Sequence, residues 1–293
     1  MYLASFLKYL EFEKRYSPHT IISYQNDIQQ FEAFLSIQYN SQDWKEVSPG
    51  MVRSWMVQLA ESGMANRSIN RKLSALQTFV KYLMKRNYLD KNPLRKVVSP
   101  KVGKRLPAYI QEGQMKTLLD EVQFPEDFTG RRDRLIIELL YGTGMRRSEL
   151  LGLQDQDIDL EKLTLKVLGK GAKERIIPFG AELRQQIELY RDARNSLERL
   201  ESNSLLVTPD GKPVYPKLIY NVVRKYLSVV STLDKRSPHV LRHSFATHLA
   251  NQGAELNAIK ELLGHANLSA TQIYTHNSIE QLRKVYEAAH PKS

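Results

Sequence analysis

Apolar residues recur at helical spacing through the first third of the chain. In 17–35, SPHTIISYQNDIQQFEAFL, the residues Ile21, Ile22, Tyr24, Ile28, Phe31, Phe34 and Leu35 follow a Ser-Pro start at close to a 3.6-residue period. A second helix is expected after Ser48-Pro49, through MVRSWMVQLAESG, with Gly63 as its stop. A third follows in NRSINRKLSALQTFVKYLMKRN, with the stripe Ile69, Leu73, Leu76, Phe79, Val80 and Leu83. Arg67, Arg71 and Lys72 lie on its early turns, off that stripe. Residues 1–91 therefore read as a small helical bundle with one basic helix. The stretch 92–107 is rich in proline and basic residues, and reads as an extended linker crossing something anionic.

From 108 the pattern opens on two helical segments, GQMKTLLDEV and RRDRLIIELLYGTG. It then changes period. Leu163, Leu165 and Val167 alternate with Thr164 and Lys166, a Gly-Lys-Gly-Ala-Lys turn follows, and Ile176 and Ile177 lead out of it. That is a β-hairpin over 163–179. Beyond Phe179 the chain is expected to stay helical to its end. The fold class is mainly α with a small β-sheet, in two domains: an N-terminal helical bundle and an α+β domain over 108–293.

Charge sharpens this division. The 293 residues carry a formal net charge of +11. Residues 1–107 hold 17 Lys+Arg against 8 Asp+Glu, and the remainder 26 against 24. Within 67–105 there are 12 basic residues and one acidic, Asp90. Such a bias favours a polyanionic partner, although charge predicts a sign and not an identity. There are no cysteines, which excludes disulfides, zinc ribbons and thiol catalysis. No apolar run approaches a membrane span, and the N-terminal MYLASFLKYLEFEKRY lacks the basic start of a signal peptide. A soluble, cytoplasmic protein with no membrane insertion is expected.

Four stretches carry candidate chemistry. In SPHVLRHSFATHL, residues 237–249, Ser237-Pro238 offers a capping hydroxyl and a proline in the first helical turn. At ~100° per residue, His239 and His243 share a face with Arg242, while His248 points about 180° away from His239. A zinc site needs at least three protein ligands, so metal binding is not expected. A helix N-terminus with an arginine fork suits a phosphate, although local capping or packing explains the same residues. In LLYGTGMRRSELLGL, Arg146 stands where Gly142-Thr143-Gly144 breaks one helix and another begins. This is not a Walker loop, since the closing Gly-Lys-Ser/Thr is missing, and no nucleotide or other cofactor is indicated. Lys170 sits at the hairpin tip in LGKGAKER, and ELLGHANLSATQIYTH holds Gly264-His265 and, nine residues on, Tyr274. Lone turn lysines are mostly solvated, and chemistry alone cannot single out one of 15 tyrosines.

Taken as an ordered set, these stretches resemble the tyrosine recombinase family, also called the phage integrase family. SPHTIISYQNDIQQFEAFL is similar to that family's helical core-binding domain, so the resemblance covers essentially the whole chain. The length, the scarcity of extra segments and the closing HPKS look most like the bacterial Xer members. The resemblance implies a DNA strand transferase needing neither metal nor ATP. Tyr274 would attack the scissile phosphate, and Arg146 and Arg242 would clamp its oxygens. Lys170 would protonate the leaving 5′-oxygen, His239 would assist proton transfer, and His265 would hold a phosphate oxygen. Glu149 and His243 would support these groups, and His248 would be structural.

The family's architecture implies two domains clamping a duplex, with Arg67, Arg71, Lys72, Lys101, Lys104 and Arg105 as candidate DNA contacts. It also implies a homo- or hetero-tetramer on DNA, possible use of a second recombinase, and activation by a septal DNA translocase. The amphipathic segment 278–291, with Ile279, Leu282, Val285 and Tyr286, either packs on its own domain or, as the resemblance implies, docks on a neighbouring protomer. Chromosome (and plasmid) dimer resolution is the expected role. A mobile-element integrase or an invertase of the same family is the alternative, and a catalytically silent DNA-binding protein is the alternative from another class.

Overall fold

The computed structural model describes residues 2–103, 108–169, 174–264 and 276–289. The chain forms two compact units, Met1–Arg105 and Leu106–Ser293.

In the first unit, α1 (Tyr2–Lys8) runs into a π-helical turn, Tyr9–Glu13, followed by α2 (Pro18–Tyr39), α3 (Pro49–Glu61) and α4 (Asn66–Lys85). Helices α2 and α3 start as their Ser-Pro pairs require. The hydroxyls of Ser17 and Ser48 accept the backbone N–H of Thr20 and Met51, each at 3.3 Å. The α4 stripe read from the sequence is buried in full. It packs with Phe31, Trp44 and Trp55, whose rings lie 5.4 and 5.0 Å from that of Phe31. Part of the proline-rich stretch packs on this bundle as well. Leu94 joins its core, and the side-chain amides of Asn66 and Asn70 donate to the carbonyls of Lys101 and Pro100, both at 2.9 Å.

The second unit contains α5 (Glu112–Asp120), α6 (Phe128–Thr143) and α7 (Arg147–Gly152), then β1 (Ile158–Asp159), β2 (Thr164–Leu168) and β3 (Glu174–Pro178). Helices α8 (Ala181–Asn195), α9 (Pro216–Val230), α10 (Pro238–Asn251), α11 (Leu256–Leu263) and α12 (His276–Ala289) follow. The sheet is antiparallel in the order β1-β2-β3, with Leu165 opposite Ile177 and Val167 opposite Arg175. Leu165, Val167 and Ile177 face the core, and Arg175 occupies the fourth inward position.

Two features differ from the sequence reading. The short strand β1 pairs at the sheet edge. The region 196–215 is not helical, because Pro209-Asp210-Gly211 turns the chain, with Gly211 at φ +72°, and Val207 bridges to Pro213. Helix α12 packs on its own unit, against β3, α10 and α11, with Leu282, Tyr286 and Ala289 buried. Burying Leu282 alone is worth about 1.5–3 kcal/mol. Among the described residues, no helix is long and apolar enough to cross a membrane.

Candidate active site

Arg146 owes its place to a glycine. Gly144 ends α6 in the left-handed region, at φ +60°, and a side chain there would collide with the ring of Phe245. The chain then extends through Arg146 before α7 begins. Glu149, three residues on, accepts the Arg146 backbone N–H and its Nη1, both at 2.7 Å, and Arg146 Nη2 donates to the Gly264 carbonyl at 3.0 Å. A third of the Arg146 side chain stays exposed. Its neighbour Arg147 points to solvent, so the structure separates the adjacent pair.

Arg242 comes from the first turns of α10. Pro238 occupies the expected position, but Ser237 makes no side-chain capping bond. The turn closes instead through the Val240 N–H to the Ser237 carbonyl, at 2.9 Å. Arg242 is buried and donates to the carbonyls of Gly144 and Leu263, each at 2.6 Å. Burial, then the repulsion of Arg146 and Arg175, bring its pKa down to about 9, with Glu149 opposing. His239 lies exposed at the rim of the same face. His243 is half-buried, and burial followed by the charge of His239 pushes its pKa down.

A third guanidinium completes the cluster. Arg175 places Nη1 and Nη2 on the two oxygens of Glu149, at 2.7 and 2.8 Å, and its Nε on the Leu262 carbonyl at 2.9 Å. Burial alone would raise the Glu149 pKa, yet the Arg175 fork and the Arg146 donors outweigh it and hold the carboxyl at about 2. Three successive carbonyls at the end of α11, of Leu262, Leu263 and Gly264, thus accept from Arg175, Arg242 and Arg146. Among the described residues, three cations here face one carboxylate and the negative end of a helix. The excess positive charge suits an incoming phosphate. Sequence reasoning missed Arg175. The available signal was a charged residue on the same strand face as Ile177 in an otherwise apolar row.

His248 faces away, as its spacing requires. It is buried, with Nδ1 2.9 Å from the Tyr141 hydroxyl and Nε2 2.9 Å from the Ile110 carbonyl. A carbonyl only accepts, so Nε2 carries the proton and Nδ1 accepts from Tyr141. Burial pushes the His248 pKa down, against the pull of the Ile110 carbonyl and Glu112. Lys170, His265 and Tyr274 lie outside the described residues. In sequence, Lys170 falls between β2 and β3, His265 directly follows Gly264, and Tyr274 stands two residues before α12.

Of the candidate DNA contacts, Arg67 and Lys101 are exposed. Arg71 is half-exposed, and its guanidinium binds Asp27 and the Ser23 hydroxyl. Lys72 is not available at the surface. It is 4% exposed, with Nζ donating to Asp27 at 2.9 Å and also to Gln30. The reason is its register: three residues after Ile69 and four before Leu76, it lies at the edge of the buried stripe. Lys104 and Arg105 lie outside the described residues. Among the described residues, no group of three or more His, Asp or Glu side chains is placed to hold a metal ion.

The chain is similar to known proteins over nearly its whole length. The profile of the phage integrase family matches residues 108–281, and that of the phage integrase N-terminal SAM-like domain matches residues 3–87. A tyrosine recombinase XerC of Bacillus subtilis (strain 168) is 39% identical over 292 residues, which is 98% of this chain and 95% of that protein. A tyrosine recombinase XerC of Staphylococcus aureus (strain MRSA252) is 40% identical over 293 residues, 99% and 96% of the two chains. Among solved structures, a XerH site-specific recombinase bound to palindromic difH substrate, in a post-cleavage complex, aligns with a TM-score of 0.71 at 24% identity, over 90% of this chain and 78% of that one. The Tn1549 transposon integrase in complex with circular intermediate DNA aligns at 0.72 and 22% identity, over 96% and 98%. These two structural likenesses establish the fold.

Proposed function

Because the chain belongs to the phage integrase family and is a tyrosine site-specific recombinase, we propose that it cuts and rejoins duplex DNA through Tyr274, with Arg146 and Arg242 clamping the scissile phosphate. The observation that carries this reading is the cluster of three guanidiniums around one carboxylate at the end of α11. Fixed cations already in place cost no reorganisation as charge builds on the phosphate oxygens, and such groups are worth about 10²–10³ in rate each.

The Tyr274 oxygen attacks phosphorus, forming a 3′-phosphotyrosyl bond, and the 5′-oxygen leaves with a proton from Lys170. His239 at the rim takes part in moving the tyrosine proton, and His265 holds a phosphate oxygen. The new bond replaces the old one, so the reverse attack by a 5′-hydroxyl restores the diester without ATP. This chemistry asks for no metal.

In this reading 1–91 is the core-binding domain, 92–107 a linker and 108–293 the catalytic domain. Arg67, Arg71, Lys101, Lys104 and Arg105 face the DNA backbone. The working assembly is a tetramer on DNA, homo-oligomeric or shared with a second recombinase. In it, α12 leaves its own unit to dock on a neighbouring protomer. Chromosome dimer resolution fits the identity to the XerC proteins, and a cytoplasmic location and action with a septal DNA translocase are part of the same proposal.

Covalent trapping tests the reading. The protein is incubated with nicked duplexes carrying candidate Xer-type sites, without metal or ATP, and run on a denaturing gel. A shifted band, lost in Tyr274→Phe, is expected. A band that survives Tyr274→Phe assigns the nucleophile to another tyrosine. Specific binding with no band from the wild type means that the chain does not cut alone.

A further inference from the structure

Arg175 has no part in the reaction as laid out above, yet it touches Glu149, which holds Arg146, and the end of α11, which holds Arg146 and Arg242. It sits on β3, five residues after Lys170. Its fork takes both oxygens of Glu149, the residue that fixes the backbone and side chain of Arg146. Its Nε holds the Leu262 carbonyl, three residues before His265. Gly264 closes over it: an added Cβ there would lie 3.0 Å from Arg175 Cδ.

A staple for the sheet would not need this residue. The other inward positions, Leu165, Val167 and Ile177, are apolar, and an apolar side chain would continue that row. A buried ion pair adds little stability over a well-packed apolar pair, because both charges lose their water. Arg175 also crowds Arg242 with a further positive charge. What a guanidinium supplies, and neither an apolar residue nor lysine can, is a planar set of donors that binds two elements at once in fixed directions.

We propose that Arg175 is a positioning residue for strand cleavage, locking Arg146 through Glu149 and the end of α11 through Leu262 so that Arg146 and Arg242, which that helix end also holds, share one register. The proposal rests on the assignment of Arg146 and Arg242 to the scissile phosphate.

The test compares single-turnover covalent cleavage by the full chain and its Arg175→Lys variant on two nicked duplexes carrying the same Xer-type site. One has an ordinary scissile phosphate and the other a neutral methylphosphonate there. Arg175→Lys keeps the charge but loses the double grip. We expect DNA affinity within about twofold of wild type and cleavage of the ordinary phosphate at least about tenfold slower, the scale of a displaced electrostatic group. On the methylphosphonate the deficit shrinks to under about threefold, because less charge awaits the guanidiniums. Wild-type cleavage by Arg175→Lys overturns the proposal. So does an equal deficit on both duplexes, which marks a general structural role. If Arg175→Lys melts below the assay temperature, Glu149→Asp, which keeps both charges and shortens the link, is held to the same two outcomes. Arg146→Ala serves as the control. If it cleaves as wild type does, the phosphate assignment fails first and this proposal with it. If it is dead while Arg175→Lys is normal, only the positioning role fails.

Discussion

Each unit of this protein holds a buried carboxylate shared by basic side chains, and the two arrangements serve opposite ends. In the N-terminal unit, Asp27 takes Arg71 and Lys72, together with hydrogen bonds that engage Ser23 and Gln30. Lys72 is consumed inside the bundle, and only Arg71, half-exposed, still reaches solvent. In the catalytic unit, Glu149 takes Arg146 and Arg175, and a third arginine, Arg242, stands beside them with no carboxylate partner among the described residues. The first cluster nearly neutralises itself and aims one cation outward. The second stays over-positive, and a helix end holds its cations in place. How much positive charge a buried carboxylate leaves uncompensated therefore differs between the two units, and with it the charge that each cluster can offer to an anion.

The largest effect should come from removing each carboxylate. Glu149→Ala strands Arg175 in the core and is expected to destabilise the protein by about 3–5 kcal/mol, as broken buried pairs do. Asp27→Ala strands Lys72 and carries a cost of the same order. Denaturant unfolding reads both. A loss under about 1 kcal/mol at Asp27 would make that cluster equivalent to a surface pair. Next comes Gly144→Ala. The side chain meets the Phe245 ring at a left-handed position, so a loss of about 1–3 kcal/mol is expected. Cleavage should slow as well, because the Gly144 carbonyl that Arg242 holds is displaced.

A smaller effect separates two adjacent residues. Arg71→Ala should weaken DNA binding and lower the slope of log affinity against log salt by about 1, whereas Lys72→Met should leave that slope unchanged and alter only the melting temperature. A slope lowered by Lys72→Met would contradict the burial of Lys72, and a slope unchanged by Arg71→Ala would remove Arg71 from the DNA contacts. The mildest effect is on pH. His243 and His248 have folded pKa values below the ordinary 6.5. The unfolded chain therefore binds more protons below that value, and stability should fall as pH drops from neutrality. Glu149, held at about 2 against an ordinary 4.5, contributes stability that is complete above 4.5 and is lost as pH falls toward 2. Melting curves from pH 7 to 3 should show the histidine loss first.

Much of this was legible in the chain. The α4 stripe, the Ser-Pro starts of α2 and α3 and the alternation of β2 encode their elements locally, and the structure follows them. Arg146 and Arg242 were found because a glycine break and a helix start flank them. Lys72 was misplaced because a stripe read residue by residue does not show how far a long stem can bend toward a carboxylate 45 positions away. Arg175 was missed for the same reason in reverse. Its partners Glu149 and Leu262 are 26 and 87 residues distant, and no local period announces a pairing over that span. The turn at 209–211 is encoded locally by Pro209-Asp210-Gly211, with Gly211 in the left-handed region.

The most direct measurement sets the two arginine groups side by side. Cleavage rate at saturating protein and DNA affinity would be measured for Arg146→Ala/Arg242→Ala and for Arg67→Ala/Arg71→Ala. The catalytic pair should lose at least about 10²-fold in cleavage with affinity nearly kept. The N-terminal pair should lose affinity, most at low salt because its salt slope is shallower, and cleave normally once bound. If both pairs lose affinity and cleavage in the same proportion, the phosphate clamp is not where this account places it.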